Sequence, residues 1–290
     1  MIISGLHLLL TYQCNFECDH CFVWGSPRQR GTMTLAHIRE ILRQADALGT
    51  VESIYFEGGE PFLYYPILLA GVEEAAGRGF QTGVVTNGYW ATEVEDALAW
   101  LRPLAALIRD LSVSSDLYHY DEQISRQAQN ARHAAERLDI PVGTISVAQP
   151  DEEDALASLM VRGRAVDRLA SRVPHHPWTS FTECPHEDLR DPGRVHVDPL
   201  GHVHLCQGLS LGNLFRTPLT DIPAALDPDA HPVIGPLLHG GPAELARRYG
   251  LTPQDAYADA CHLCYETRLA LRERFPEILT PDQMYGVPEG

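Results

Sequence analysis

The sequence predicts an α/β protein built on a parallel sheet, and three observations predict it. Apolar runs of strand type alternate with stretches of helical spacing through the first half of the chain. Polar, glycine-bearing clusters fall at the C-terminal ends of successive runs, where parallel α/β sheets bind their ligands. The chain has 290 residues, 44% hydrophobic and 21% charged, enough for a sizeable core and inconsistent with wholesale disorder.

The elements follow in order. Leu6 to Tyr12 is an apolar run that leads into the first cysteine. Leu35, Ile38, Ile41, Leu42, Ala45 and Leu48 recur at helical spacing, and Gly49 is a natural C′ stop. Val51 to Phe56 is the next strand and ends in Glu57-Gly58-Gly59-Glu60-Pro61. A helix from about Pro66 closes near Gly77. Gly83 to Thr86 is a third strand, ending in Thr86-Asn87-Gly88. Thr92 and Glu95 have the spacing of a capping box for the following helix. Leu111 to Ser114 is a fourth strand, ending in Ser114-Ser115-Asp116, and a helix from about Asp121 to Leu138 follows. Val142 to Val147 is a fifth strand, and Asp151 caps a further helix. Repeated strand–helix units imply right-handed parallel crossovers.

After about residue 172 the pattern changes. Arg194 to Cys206 predicts a hairpin about Asp198-Pro199-Leu200-Gly201. His196, His202 and His204 crowd it, and at alternating positions they read as surface residues rather than ligands. Residues 217–242 carry six prolines and predict a long loop or lid. Leu263 to Phe275 predicts a last helix near a Cys-x2-Cys pair.

Charge narrows the function classes. Lys+Arg number 22 against 39 Asp+Glu, a net charge of −17, which disfavours phosphate backbones and anionic membranes. No apolar run is long enough to span a bilayer. The N-terminus lacks a basic stretch and a cleavage site, so a cytoplasmic protein is expected.

The seven cysteines form two sets. Cys14-x3-Cys18-x2-Cys21 is one. Cys184, Cys206 and the pair Cys261-x2-Cys264 are the other. An odd number argues against a disulfide framework. Such spacings suit a metal centre, and zinc stays open for both sets, with His20 available as a fourth ligand for the first.

Cys14-Asn15-Phe16-Glu17-Cys18-Asp19-His20-Cys21, followed one strand–helix–strand later by Gly58-Gly59-Glu60-Pro61, resembles the radical S-adenosylmethionine (SAM) enzymes. The resemblance extends over the whole chain. It implies a partial (β/α)6 barrel over residues 1–180 and a smaller twitch-like or SPASM-like domain, a β-hairpin plus a helix, over 181–290. It implies that Cys14, Cys18 and Cys21 hold a [4Fe–4S] cluster whose open iron takes SAM, with His20 in the family's aromatic slot. Gly58 and Gly59 would let the backbone approach SAM, with Glu60 and Pro61 completing the turn. Ser114 and Asp116 match positions that contact the ribose or methionine, or else form an Asx turn. Thr86-Asn87-Gly88 and Arg164 also resemble family sequences, or are a turn and a solvated helix residue. Cys184, Cys206, Cys261 and Cys264, with Gly212-Asn213-Leu214, resemble the ligand set of one auxiliary [4Fe–4S] cluster, with rubredoxin-like iron or zinc as the alternative.

The implied chemistry is reductive cleavage of SAM to a 5′-deoxyadenosyl radical that removes a substrate hydrogen, with a flavodoxin or ferredoxin as electron donor. A carrier of electrons alone would need no Gly-Gly-Glu-Pro platform. All seven cysteines are assigned to clusters, leaving no thiol to return a hydrogen; Tyr89, Tyr118 and Tyr120 are weaker donors. Dehydrogenation of a small molecule such as a sugar or aminocyclitol is therefore expected ahead of epimerisation. The chain starts almost at its first strand, which favours a small molecule over a leader-bearing peptide, with peptide modification the rival. No catalytic base or hydrogen donor is assigned from the sequence.

Overall fold

The computed structural model describes residues 1–152 and 158–287. The helix expected after Asp151 lies outside the described residues. Five strands, β1 (Ile3–Thr11), β2 (Ser53–Gly58), β3 (Gln81–Thr86), β4 (Ile108–Ser114) and β5 (Val142–Ile145), pair parallel in chain order. On the free side of β1 lies β6 (Gly193–Val197), also parallel to it. Antiparallel β7 (His202–Cys206) and β8 (Leu209–Asn213) complete an eight-stranded sheet. The expected hairpin is thus β6 and β7, and its first strand is the sixth parallel strand of the main sheet. This is the parallel α/β architecture of a partial barrel.

Helices α1 (Leu35–Leu48), α2 (Tyr65–Gly77), α3 (Val94–Leu101) and α4 (Arg126–Arg137) connect the strands. Ile38, Ile41, Leu68 and Val72 are buried against Leu6, Leu8, Leu10, Ile54, Phe56 and Val84. Alternation along each strand turns the intervening positions to the other face. There stand His7, Tyr55, Glu57, Val85, Asp110, Ser112 and His196, so one sheet face is core and the other is a polar cavity wall.

Several local expectations change. Gly49 does close α1, in a left-handed conformation with its N–H on Ala45, and Thr34 caps the start. The capping box at Thr92 does not form: the Thr92 hydroxyl meets Asp96 at 2.5 Å, and Glu93 occupies the cap position without a side-chain bond. Helix α4 starts five residues late because Ser125 caps it, accepting from the Ala128 N–H. Residues 217–242 are not a bare loop, since they hold α6 (Asp221–Ala225) and the first part of α7 (Ile234–Arg248). The last long helix, α8 (Ala260–Leu271), starts earlier than expected, capped by Asp259, so Cys261 and Cys264 both lie in its first turns. His204 is fully buried rather than on the surface. Its ring meets the Asp198 carboxylate at 3.0 Å, which also accepts from the Tyr12 hydroxyl at 2.8 Å.

Candidate active site

The C-terminal strand ends surround a cavity of about 640 Å³, and Cys14, Cys18 and Cys21 line it together. The loop that carries them is fixed from several sides. Cys14 donates its N–H to Ser26 at 3.1 Å. Arg164 donates to the carbonyls of Cys18 at 2.7 Å and Gly25 at 2.8 Å. Arg164 is therefore no solvated helix residue. It is buried at the start of α5 (Arg164–Arg168) and clamps the cysteine loop. Gly163 before it has φ 60°, and a Cβ there would lie 2.7 Å from the Cys21 carbonyl oxygen.

The donor set fits an iron–sulfur cluster better than one ion. None of the three is in a disulfide. Backbone N–H groups of Phe16 and Gly25 point at the Cys14 and Cys21 sulfurs, at 3.4 and 3.2 Å. Thiolates about 2.3 Å from a single tetrahedral zinc would stand about 3.8 Å apart. The cysteine trio is not among the groups whose ligand atoms all lie within 4.8 Å of one another, whereas His20, Asp116 and His119 are such a group. His20 lines the same cavity as the cysteines and groups with Asp116 and His119. Burial pushes the Cys14 thiol up to about 12, and burial pushes Cys18 up as well, so these thiols ionise when a metal takes them.

Gly58 and Gly59 stand on the cavity wall, but the backbone they admit is the protein's own. A Cβ at Gly59 would lie 2.1 Å from the Gln13 carbonyl oxygen, and one at Gly58 would lie 2.5 Å from that of Thr11. Gly59 and Glu60 donate their N–H groups to Thr11 and Gln13 at 2.7 and 2.9 Å. Glu60 and Pro61 sit behind the wall, both buried. The Glu60 carboxylate accepts from Phe62 N–H at 3.0 Å, the Thr86 hydroxyl at 2.8 Å and Asn87 N–H at 2.7 Å. Burial pushes its carboxyl up to about 7, against those three donors. Asn87 in turn reaches Asn15 at 2.8 Å and the Cys14 sulfur at 3.6 Å. Thr86-Asn87-Gly88 is therefore a brace between the glycine motif and the cysteine loop. Ser114 lines the cavity. Asp116 is buried behind it, accepting from Tyr118 N–H at 3.0 Å and Val147 N–H at 3.1 Å, with the His119 ring at 2.8 Å. It makes its Asx turn and also orients His119, which faces the cavity.

The other four cysteines, Cys184, Cys206, Cys261 and Cys264, share a second, smaller cavity with Arg162 and Arg268. Arg268 is 2% exposed and donates to the carbonyls of Gln207 and Cys264. Among the described residues no carboxylate lies within 4.0 Å of it. A buried cation without an anion is costly. Four thiolates holding a cluster would supply the missing negative charge, and this charge balance is the fit of the site to such a group. Arg162 touches both sites: it donates to the Cys206 sulfur at 3.4 Å and lines the large cavity. Sequence reasoning missed it, for an arginine in Leu159-Met160-Val161-Arg162 carries no motif. It also missed His7, Tyr55, Glu57 and His119. The hydroxyls of Tyr118 and Tyr120 donate to the carbonyls of Ala148 and Asn87, both at 3.0 Å.

Residues 8–140 match the family model described as Radical SAM superfamily. The chain is 31% identical over 111 residues to the putative peptide biosynthesis protein YydG of Bacillus subtilis (strain 168), 38% of this chain and 35% of that one. It is 32% identical over 83 residues to an S-adenosylmethionine-dependent nucleotide dehydratase of Selenomonas ruminantium, 29% of each chain. The matched segments span about a third of these relatives' length. The fold is similar to that of BtrN in complex with AdoMet and 2-DOIA, with TM-score 0.49, 18% identity and 77% and 82% of the two chains covered. It is also similar to anSMEcpe with bound AdoMet, with TM-score 0.48, 13% identity and 94% and 97% covered.

Proposed function

We propose a reaction for this chain on the premise that residues 8–140 are a radical SAM domain: two-electron oxidation of a small polar molecule, such as a sugar or aminocyclitol, inside the large cavity. The observation that carries the proposal is the division of the cysteines. Three line the large cavity, four line the second, and no thiol is left to return a hydrogen. The reading assigns a [4Fe–4S] cluster and SAM to Cys14, Cys18 and Cys21, and an auxiliary [4Fe–4S] cluster to the segment 181–290 through Cys184, Cys206, Cys261 and Cys264. When bound, these groups supply reductive cleavage of SAM, hydrogen abstraction by the 5′-deoxyadenosyl radical and a sink for the second electron.

The chain's own residues do the rest. Gly58, Gly59, Ser114 and His119 form the wall against which SAM is held. Phe16, Phe22 and Val23 close the cavity with apolar surface that excludes water and stray hydrogen donors. Asp110, Ser112 and Arg194 offer hydrogen-bond partners to a hydroxylated substrate. Arg162, between the cavities, holds positive charge where electron density would pass. A flavodoxin or ferredoxin in a cytoplasmic setting would supply the first electron. A second reading, modification of a peptide, is favoured by the similarity to YydG, a protein named for peptide biosynthesis.

The test is anaerobic reconstitution with iron and sulfide, then reduction with SAM. About eight irons per chain and release of 5′-deoxyadenosine are expected. The Cys14→Ala/Cys18→Ala/Cys21→Ala variant should keep about four irons and release none. A chain that takes up only zinc would sink the reading.

A further inference from the structure

His7 on β1, Glu57 on β2 and His196 on β6 converge on the cavity from three adjacent strands, and the radical chemistry proposed above makes no use of them. The strand register pairs His7 with both Tyr55 and His196, so the histidines stand in one row and Glu57 one step along the same face. Their ligand atoms all lie within 4.8 Å of one another. His7 Nδ1 is 3.3 Å from Glu57 Oε2, and His196 Nε2 is 3.0 Å from Glu57 Oε1. Two ligands each about 2.1 Å from a shared ion stand roughly 3.0–3.4 Å apart at octahedral to tetrahedral angles.

Hydrogen bonding accounts for one of these contacts and not the other. Glu57 Oε1 is buried without a hydrogen-bond partner, although an imidazole nitrogen stands 3.0 Å away. A buried acceptor left so costs free energy that a shared cation would remove. The surroundings hold the ligands still. The His7 ring stacks on Tyr55 at 4.7 Å and 10°. Gly83 makes room for Tyr55, since a Cβ there would meet that ring at 2.3 Å. Arg194, which lines the same cavity, is 3.5 Å from Glu187.

We propose that His7, Glu57 and His196 form a mononuclear site for a divalent cation of nitrogen- and oxygen-binding type, such as Mn²⁺ or Fe²⁺. Two imidazoles and one carboxylate leave coordination positions free, and these face the cavity, where water or a substrate hydroxyl would bind. Mn²⁺ is the probe of choice because it avoids thiolates. The experiment titrates MnCl₂ into the full chain with its iron–sulfur clusters reconstituted and oxidised, a state silent in electron paramagnetic resonance. One Mn²⁺ per chain is expected, with pulsed-resonance couplings to two imidazole nitrogens in the wild type. His196→Gln should leave one nitrogen coupling, and Glu57→Gln should weaken binding at least tenfold. The Cys14→Ala/Cys18→Ala/Cys21→Ala variant should bind Mn²⁺ as the wild type does, which separates this site from the fate of the radical reading. Mn²⁺ that stays free, or that binds without imidazole coupling, would overturn the proposal and leave a hydrogen-bonded trio.

Discussion

Glu60 shows how one side chain can serve a site that it does not line. Its carboxylate gathers Phe62, Thr86 and Asn87, so the glycine motif and the Asn87 brace on Cys14 move as one piece. Burial raises its pKa from an ordinary 4.5 to about 7. The native state therefore holds a proton that the unfolded chain has released. The resulting stabilisation is complete below the unfolded value and is lost as pH rises through the folded one. The unfolding free energy of the wild type relative to Glu60→Gln should fall by about 2 kcal/mol between pH 5.5 and 7.5. A flat difference in denaturant titrations would mean that the carboxylate is ionised throughout. Gly59 is the companion case. A ligand-approach glycine would tolerate a side chain at the expense of SAM affinity alone. With a Cβ 2.1 Å from the Gln13 carbonyl, Gly59→Ala should instead lower iron content along with SAM binding. Full iron with lost SAM affinity would return the residue to its expected role.

Among the elements, α8 joins the second cysteine set to the rest of the fold. Its cap, Asp259, accepts from His262 N–H at 2.7 Å and from Val161 N–H at 2.9 Å, one residue before Arg162. Asp259→Ala should cost about 1 kcal/mol or more, because it strips a cap and leaves the Val161 N–H unpaired. Cys261→Ala/Cys264→Ala should halve the iron content while SAM cleavage persists. Loss of all the iron together with SAM cleavage would mean that the two sites fold as one. Elements were legible where their signals are local. Gly49 ends α1 by chemistry within one turn, and the β6–β7 hairpin follows from its turn residues. The partner of β6 was not legible, because its parallel seat beside β1 is decided by tertiary contacts. The prolines of 217–242 concealed α7, yet Pro236 lies in its first turn, where a missing N–H costs nothing, and Pro242 follows a break at Gly240 and Gly241. Strand alternation placed the hairpin histidines on faces, but not which face would be covered. Hence His204 is buried and His196 joins the cavity wall, where surface positions were expected. At the site, the cysteines were legible as motifs and Arg164 only as a resemblance without a role, while Arg162 was not legible, since each arginine acts through carbonyls and sulfurs brought together only by folding.

For the whole molecule the question is where the second electron goes. Abstraction of a hydrogen atom leaves a substrate radical, which must either regain a hydrogen or lose a further electron and a proton. The first outcome requires a donor with a weak X–H bond facing the cavity. The three thiols there belong to the cysteine loop, and the hydroxyls of Tyr118 and Tyr120 are turned to main-chain carbonyls, which leaves Tyr55 on the cavity wall as the O–H donor that hydrogen return would have to use. The second outcome requires an electron acceptor close by, and the four-cysteine cavity adjoins the large one through Arg162. On the proposed reading oxidation is therefore favoured over epimerisation, with the proton leaving to water. Turnover in deuterated water separates the two by mass spectrometry. Oxidation should give a product two hydrogens lighter that carries no carbon-bound solvent deuterium. A product of unchanged composition with one carbon-bound deuterium would establish return of a hydrogen from an exchangeable donor and reverse the choice.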